Sequence, residues 1–234
     1  MMPFDNRRQA GRELARRLGR FADRADVVVL GLPRGGVPVA AEVARALRSP
    51  LDVLVVRKLG VPGHEELAMG AVASGGGRVL NASIVRDLGL GEDVVERVEQ
   101  QERDELERRE RLFRGARPSP DLRGKTVVLV DDGIATGATM RSAVATLRNG
   151  PVERVVVATP VAAPDAAQML RHEADEVHCL GTPGDFLAVG RWYRHFPQTS
   201  DAEVRELLAE AQQEQAQRER ARAAGARSER EGTP

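Results

Sequence analysis

Two adjacent carboxylates, Asp131 and Asp132, end the apolar run Val127-Val-Leu-Val130 and open a loop of small residues, Gly133-Ile-Ala-Thr-Gly-Ala-Thr139. Gly133, Gly137 and Ala138 let the backbone come close to a bound group, so amides from Gly133 to Thr139, that of Ala135 included, can point at one anion. The hydroxyls of Thr136 and Thr139 add donors, and a helix starting there adds partial positive charge. Such a cradle suits a phosphate monoester. Carboxylates beside it suit the vicinal hydroxyls of a sugar, so phosphate, sugar and loop fit as one recognition unit. A loop that only turned the chain would use the glycines but need neither the acids nor the threonines.

Other segments carry weaker signals. Pro33-Arg-Gly-Gly36 follows an earlier apolar run; Gly35 and Gly36 offer free amides, and the Arg34 guanidinium can hold phosphate oxygens in bidentate fashion. Alone, it reads more readily as a simple turn. Arg57-Lys58 ends a further apolar stretch, where a basic pair capping a strand is the ordinary reading. Lysine occurs only at 58 and 125 among 35 basic residues, which singles out Lys58. Glu65 and Glu66 stand in Leu59–Gly70, a segment bearing glycine and proline, and solvated loop acids are the plain reading there. Phe186, Trp192, Tyr193 and Phe196 are four of the seven aromatics, and their plain role is to pack the C-terminal segment onto a sheet. Gly124-Lys-Thr126 imitates the end of a P-loop. Ser119 stands where that motif needs glycine, and the triplet precedes a strand.

These groups need elements to position them. Phe4, Gly11, Leu14, Leu18 and Phe21 are spaced for one face of a helix within residues 4–22. Val27 to Leu32 reads as a buried strand, Val37 to Leu47 as a helix and Asp52 to Arg57 as a second strand. Met69 to Ala73 and Arg78 to Leu80 read as paired strands about Gly75-Gly-Gly77. Residues 83–117 read as a helical insertion, broken near Gly89-Leu-Gly91, whose alternating charges suit a solvent-exposed or subunit-bridging helix. Strands at Thr126–Val130, Val152–Thr159 and Glu176–Leu180 then alternate with helices at Thr139–Arg148 and Asp165–Arg171. This alternation predicts an α/β domain over residues 1–211, a mostly parallel open sheet flanked by helices. Residues 212–234, rich in Gln, Glu, Arg and Ala, are expected as a fraying helix and then a disordered tail.

Composition narrows the function classes. Acidic and basic residues balance at 35 each, so no global field attracts nucleic acid. No apolar run approaches the roughly 20 residues of a membrane span, and the N-terminus lacks the apolar core of a secretory signal. Cys179 is the only cysteine, which excludes an intramolecular disulfide and fits a cytoplasmic protein. The four histidines show no metal-ligand spacing.

The loop at 131–139 resembles that of the type I phosphoribosyltransferases, in which hydrophobics and two acids lead to a Thr-Gly-x-Thr ending. By motif order and strand–helix rhythm, the resemblance covers roughly residues 25–185. It implies binding of phosphoribosyl pyrophosphate (PRPP) and displacement of pyrophosphate from ribose C1 by a nitrogen nucleophile. Mg2+ is the implied cofactor, held mainly by PRPP itself. The resemblance implies Asp131 and Asp132 on the ribose hydroxyls, and Gly133, Ala135, Thr136, Gly137, Ala138 and Thr139 around the 5′-phosphate. Arg34, Gly35, Gly36, Arg57 and Lys58 would surround the pyrophosphate. Leu59–Gly70 matches in position a mobile loop that closes over a cationic transition state, where Glu65 or Glu66 could offset charge or take a base proton. Lys58, Glu66 and Asp132 are thus the expected catalytic groups. Residues 182–200 match a variable hood in which Phe186 and Trp192 could stack on the acceptor base.

Two departures matter. Ala135 stands where the hypoxanthine-guanine enzymes carry an acid for the purine proton, which disfavours that acceptor and leaves adenine-like, orotate-like or unassigned acceptors open. The charged insertion is unlike the compact salvage enzymes and is similar to bacterial proteins labelled only as predicted phosphoribosyltransferases. A homo-oligomer acting on PRPP and a base, with no nucleic-acid or membrane partner, is expected. A different class stays open: a non-catalytic PRPP-binding regulator of the same fold. A nucleic-acid face would mark one, and the neutral charge argues against it. A competence-type accessory protein would carry a cysteine-rich metal module, which is absent here.

Overall fold

The computed structural model describes residues 3–231, with side chains as far as residue 221. Asn6 opens the first helix, α1 (Arg7–Arg17), its side chain accepting the Gln9 N–H. Strand β1 (Val27–Gly31) follows, buried at every residue. Val27 and Val29 pack with Leu14, Leu18 and Phe21, while Val28 and Leu30 enter a separate core on the other face. Burial on both faces is why the run is continuously apolar instead of alternating. Helix α2 (Gly36–Leu47) returns the chain to β2 (Leu51–Val53), parallel to β1.

Here the chain leaves the expected course. The stretch expected as one strand over Asp52–Arg57 is two: β2 stops at Val53, and Val56 starts β3 (Val56–Val61) in another sheet. Leu54 and Val55 are both buried but in different cores. Apolar spacing alone cannot mark such an exit. Strands β3, β4 (His64–Ala73) and β5 (Gly77–Leu80) form an antiparallel sheet in that order. The segment 59–70, expected as a loop, is therefore mostly hairpin. Its turn is Pro62-Gly63, with Gly63 at φ +78°, the pairing that a tight turn with a left-handed third position demands.

The insertion forms α3 (Ala82–Asp87) and α4 (Glu92–Arg114), separated around Gly89 at φ +57°. α4 is not a free solvated arm. Val95, Leu106 and Phe113 join a third core with Leu59, Met69 and Val72 of the second sheet and with Val204, Leu207 and Leu208 of the last helix. Ion pairs Arg57–Glu102 and Arg78–Glu99, both 2.6 Å, fasten it to that sheet.

The chain then enters β6 (Thr126–Val130), beside β1, and continues through α5 (Ala138–Arg148), β7 (Arg154–Val161), α6 (Pro164–Glu173) and β8 (Glu176–Gly181). The main sheet has the order β2-β1-β6-β7-β8, parallel throughout. Strand order reverses between β1 and β6, and a crevice must open beyond their C-terminal ends, where both glycine-bearing loops lie. Helix α7 (Asp201–Glu231) runs through the region expected as a fraying helix and then a disordered tail. Its Gln, Glu, Arg and Ala residues are good helix formers, and the pairs Gln215–Glu219, Arg218–Glu214 and Arg45–Glu214 support its course. Residues 232–234 of the expected tail lie outside the described residues. Among the described residues, no helix is long and apolar enough to cross a membrane.

Candidate functional site

The loops after β1 and β6 touch at that crevice. Leu32 donates its N–H to the Val130 carbonyl at 2.9 Å, and the Pro33–Arg34 peptide is cis. A Cβ at Gly35 would lie 2.2 Å from Oδ2 of Asp132. One at Gly36 would lie 2.7 Å from the Val130 carbonyl oxygen and 3.0 Å from Oδ1 of Asp131. Both positions thus require glycine for packing against the acid pair, a role that sequence reasoning did not assign to them.

The acids are held asymmetrically. The Asp132 N–H donates to Oδ1 of Asp131 at 2.9 Å. Arg7 Nε donates to Oδ2 of Asp132 at 2.7 Å, with these side chains only 11% and 13% exposed. The Tyr193 hydroxyl donates to the Asp132 carbonyl at 2.5 Å. The remaining oxygens, Oδ2 of Asp131 and Oδ1 of Asp132, accept from neither Arg7 nor a backbone amide among the described residues, while the two carboxyl groups lie within hydrogen-bond reach of each other, Asp131 donating when protonated. Only Trp192 Nε1 is both enclosed and unpaired among side-chain polar atoms there, so neither of these two oxygens is fully enclosed. Burial, and next the neighbouring Asp132 carboxylate, pushes the Asp131 pKa well above the usual range. Burial also raises Asp132, while the Arg7 hydrogen bond and charge pull it back.

The loop after β6 is anchored at its middle. Ile134 donates to the Val161 carbonyl at 2.9 Å and accepts from Ala163 N–H at 2.8 Å. Gly133, expected to let an anion approach, instead faces Val189, which a Cβ would strike at 2.3 Å. Gly137, at φ +79°, starts α5 without a side-chain cap, and the Ala138 N–H makes only a long 3.4 Å bond to Thr136 Oγ1. Ala135, Thr136, Ala138 and Thr139 are exposed. An uncapped helix start with accessible small residues is suited to an anion.

A cleft of about 640 Å³ runs from Pro33 and Thr139 to the hairpin and α4, with Arg57, Lys58, Glu66 and Arg109 on its walls. Lys58 enters no ion pair among the described residues. Arg57, expected beside it at the pyrophosphate, lines the same cleft from β3 and is engaged by Glu102. Arg109 is engaged by Glu105 at 2.8 Å. Arg34 turns to Asp201 at 3.6 Å, in an adjoining cleft of about 420 Å³ that Arg108 and Arg109 also line. Pro33 and Arg109 border both clefts.

Phe186 and Trp192 line neither cleft. The aromatics that approach the acids are Tyr193 and Phe196, stacked at 4.9 Å with the Arg7 guanidinium 3.8 Å from the Phe196 centroid. Sequence reasoning missed Arg7 and Arg109. Arg7 leaves one faint local trace, a base at the first position of a helix, where the helix dipole disfavours it.

A family model described as the phosphoribosyl transferase domain matches residues 4–189. A relative from Mycobacterium tuberculosis, MT0597 in strain CDC 1551 / Oshkosh and Rv0571c in strain ATCC 25618 / H37Rv, bears a provisional phosphoribosyl transferase name. It is 51% identical over 211 residues, 90% of this chain and 47% of the relative. The chain therefore spans about half the length of that relative. The crystal structure of TT1426 from Thermus thermophilus is 45% identical, superposes with a TM-score of 0.81, and is matched over 99% of its length by 89% of this chain. Since the family match runs from Phe4 through both glycine loops and the acid pair to Val189, this chain belongs to the phosphoribosyl transferase domain family.

Proposed function

We propose that the chain binds PRPP with Mg2+ and transfers its phosphoribosyl group to a nitrogenous base or related acceptor, releasing pyrophosphate. The observation that carries this reading is the pair of open carboxylate oxygens, one on Asp131 and one on Asp132, beside an uncapped helix start. Two vicinal hydroxyls match two free acceptors, and a 5′-phosphate matches the amides of residues 135–139. The diphosphate faces Lys58, with Arg34 and Arg109 able to join by exchanging Asp201 and Glu105 for phosphate oxygens. The acceptor nitrogen forms a bond to ribose C1 as the C1–O bond breaks, and the electron pair leaves with pyrophosphate. Glu66, exposed on the hairpin wall of the cleft, is the carboxylate we assign to offset the cationic sugar or take the acceptor's proton.

Magnesium, when bound, neutralises the diphosphate and improves it as a leaving group. Among the described residues no three His, Cys, Asp or Glu side chains group so as to hold an ion by themselves. The donor set fits an ion carried by ligand oxygens and water, with Asp131 and Asp132 as the nearby acceptors for that water.

Mg2+-PRPP at about 100 times Kd should stabilise the folded chain by about 2.7 kcal/mol, a midpoint rise of roughly 5–10 °C for this size. With a suitable base, pyrophosphate should appear, and Asp132→Ala should abolish it. No thermal shift at millimolar Mg2+-PRPP would sink the reading. A full shift without turnover across purines, pyrimidines and related amines would leave a PRPP-binding regulator.

A further inference from the structure

The Arg7 guanidinium grips the acid pair in an unusual way for a structural salt bridge. Its Nε reaches Oδ2 of Asp132, and its Nη1 donates to the Pro197 carbonyl at 2.7 Å. Nη2 lies on the same edge of the guanidinium as Nε, the edge that makes side-on forks with carboxylates. Here the fork is left half used: Nη2 makes no hydrogen bond among the described residues, and Oδ1 of Asp132 takes none from Arg7 or from a backbone amide there. Neither atom is enclosed. An open donor and an open acceptor therefore stand on one ion pair whose two side chains are otherwise buried.

The grip is also braced from a distance. Arg7 stacks on Phe196, Phe196 stacks on Tyr193, and the Tyr193 hydroxyl holds the Asp132 carbonyl. This closes a ring of four side chains drawn from α1, the loop after β6 and the segment following β8. Helix stability does not account for Arg7, because a cation at a helix N-terminus meets the unfavourable end of the dipole. A hydroxyl is the small group that donates and accepts at once, and so complements both open atoms.

We propose that Arg7 is a specificity-determining residue: with Asp132 it reads one sugar hydroxyl as both donor and acceptor, which selects ribose over a deoxy sugar. The hydroxyl donates to Oδ1 of Asp132 and accepts from Nη2 of Arg7. This rests on the sugar-phosphate reading of the site given above and adds to it a residue and a selectivity.

The test is calorimetric titration of the full chain with ribose 5-phosphate and its 2-deoxy and 3-deoxy counterparts, alongside pyrophosphate and Mg2+-PRPP. The unaltered chain should prefer ribose 5-phosphate over one of the two deoxy sugars by about tenfold or more. Arg7→Lys keeps a cation but lacks the planar fork, and should lose that preference while pyrophosphate affinity stays within about twofold. Arg7→Met should lose it too, with weaker binding of all three sugars. Retained selectivity in Arg7→Lys, or equal losses for sugars and pyrophosphate, overturns the proposal. If the unaltered chain binds Mg2+-PRPP yet prefers no hydroxyl, this inference fails alone. If it binds none of these ligands, the underlying site reading fails with it.

Discussion

Asp131→Asn and Asp132→Asn should each weaken Mg2+-PRPP binding by roughly 10- to 150-fold, equivalent to about 1.5–3 kcal/mol for a lost charge-assisted hydrogen bond. The two variants should differ in stability. Burial and the adjacent carboxylate hold the Asp131 pKa above its unfolded value, so the proton is bound more tightly in the folded chain. Such a group contributes stability that is fully present below the ordinary carboxylate pKa and is lost as pH rises through the raised value. At neutral pH, a neutral amide in place of that carboxylate removes the cost. Asp131→Asn should therefore unfold at higher denaturant than the parent at pH 7.5, and the advantage should shrink towards pH 4. Asp132→Asn strands the buried Arg7 charge and should gain no such stability. Ionised Asp131 is the better hydroxyl acceptor, so parent affinity for Mg2+-PRPP should rise with pH while that of Asp131→Asn changes less. Calorimetry and urea titrations across pH 4–8 read both effects. Unchanged PRPP affinity in both variants would remove the acids from the sugar site.

Arg114→Ala should be among the most damaging single changes. Arg114 ends α4 with its side chain 5% exposed. Its Nε bridges both oxygens of Asp52 at 2.9 and 3.0 Å, Nη2 donates to the Val53 carbonyl at 2.6 Å, and Nη1 meets Glu110 and Ser119. Truncation leaves two carboxylates, 15% and 18% exposed, without their cation. Breaking a buried ionic group in this way costs about 3–5 kcal/mol, a melting-point fall of roughly 6–20 °C for a chain of this size. The same group joins α4 to β2, and α4 carries Arg109 and Glu102 to the cleft. PRPP affinity should fall as well, even at temperatures where the chain stays folded. A triple variant with apolar residues at 52, 110 and 114 should recover most of the stability, because no charge is then left unpaired. A single-variant loss below about 1 kcal/mol would show that α4 is held by its apolar face alone.

Much of the site is legible without coordinates because its signals are local. A strand buried on both faces has to be apolar throughout, so Val27–Gly31 and Thr126–Val130 announce themselves. A helix that starts at a left-handed residue needs Gly137, and acids that end a buried strand have little structural reason to be there. The sequence by itself thus determined the parallel α/β architecture, the two loops at the strand ends and the pairing of acids with a helix start that has no side-chain cap. Other features depend on groups far apart in the chain, and many candidates look alike to local reasoning. Arg7 finds Asp132 across 125 positions, and nothing near either residue marks that partner among so many arginines. Arg57 and Lys58 are neighbours with similar chemistry, yet Glu102 from α4 engages one and leaves the other free in the cleft. Gly35 and Gly133 read as openings for a ligand, whereas the fold fills the space beside them with Asp132 and Val189. Which cation is free, which carboxylate oxygen is open and which glycine faces a ligand were decided by tertiary structure alone, because each depends on what long-range packing sets against a side chain that is locally equivalent to its neighbours.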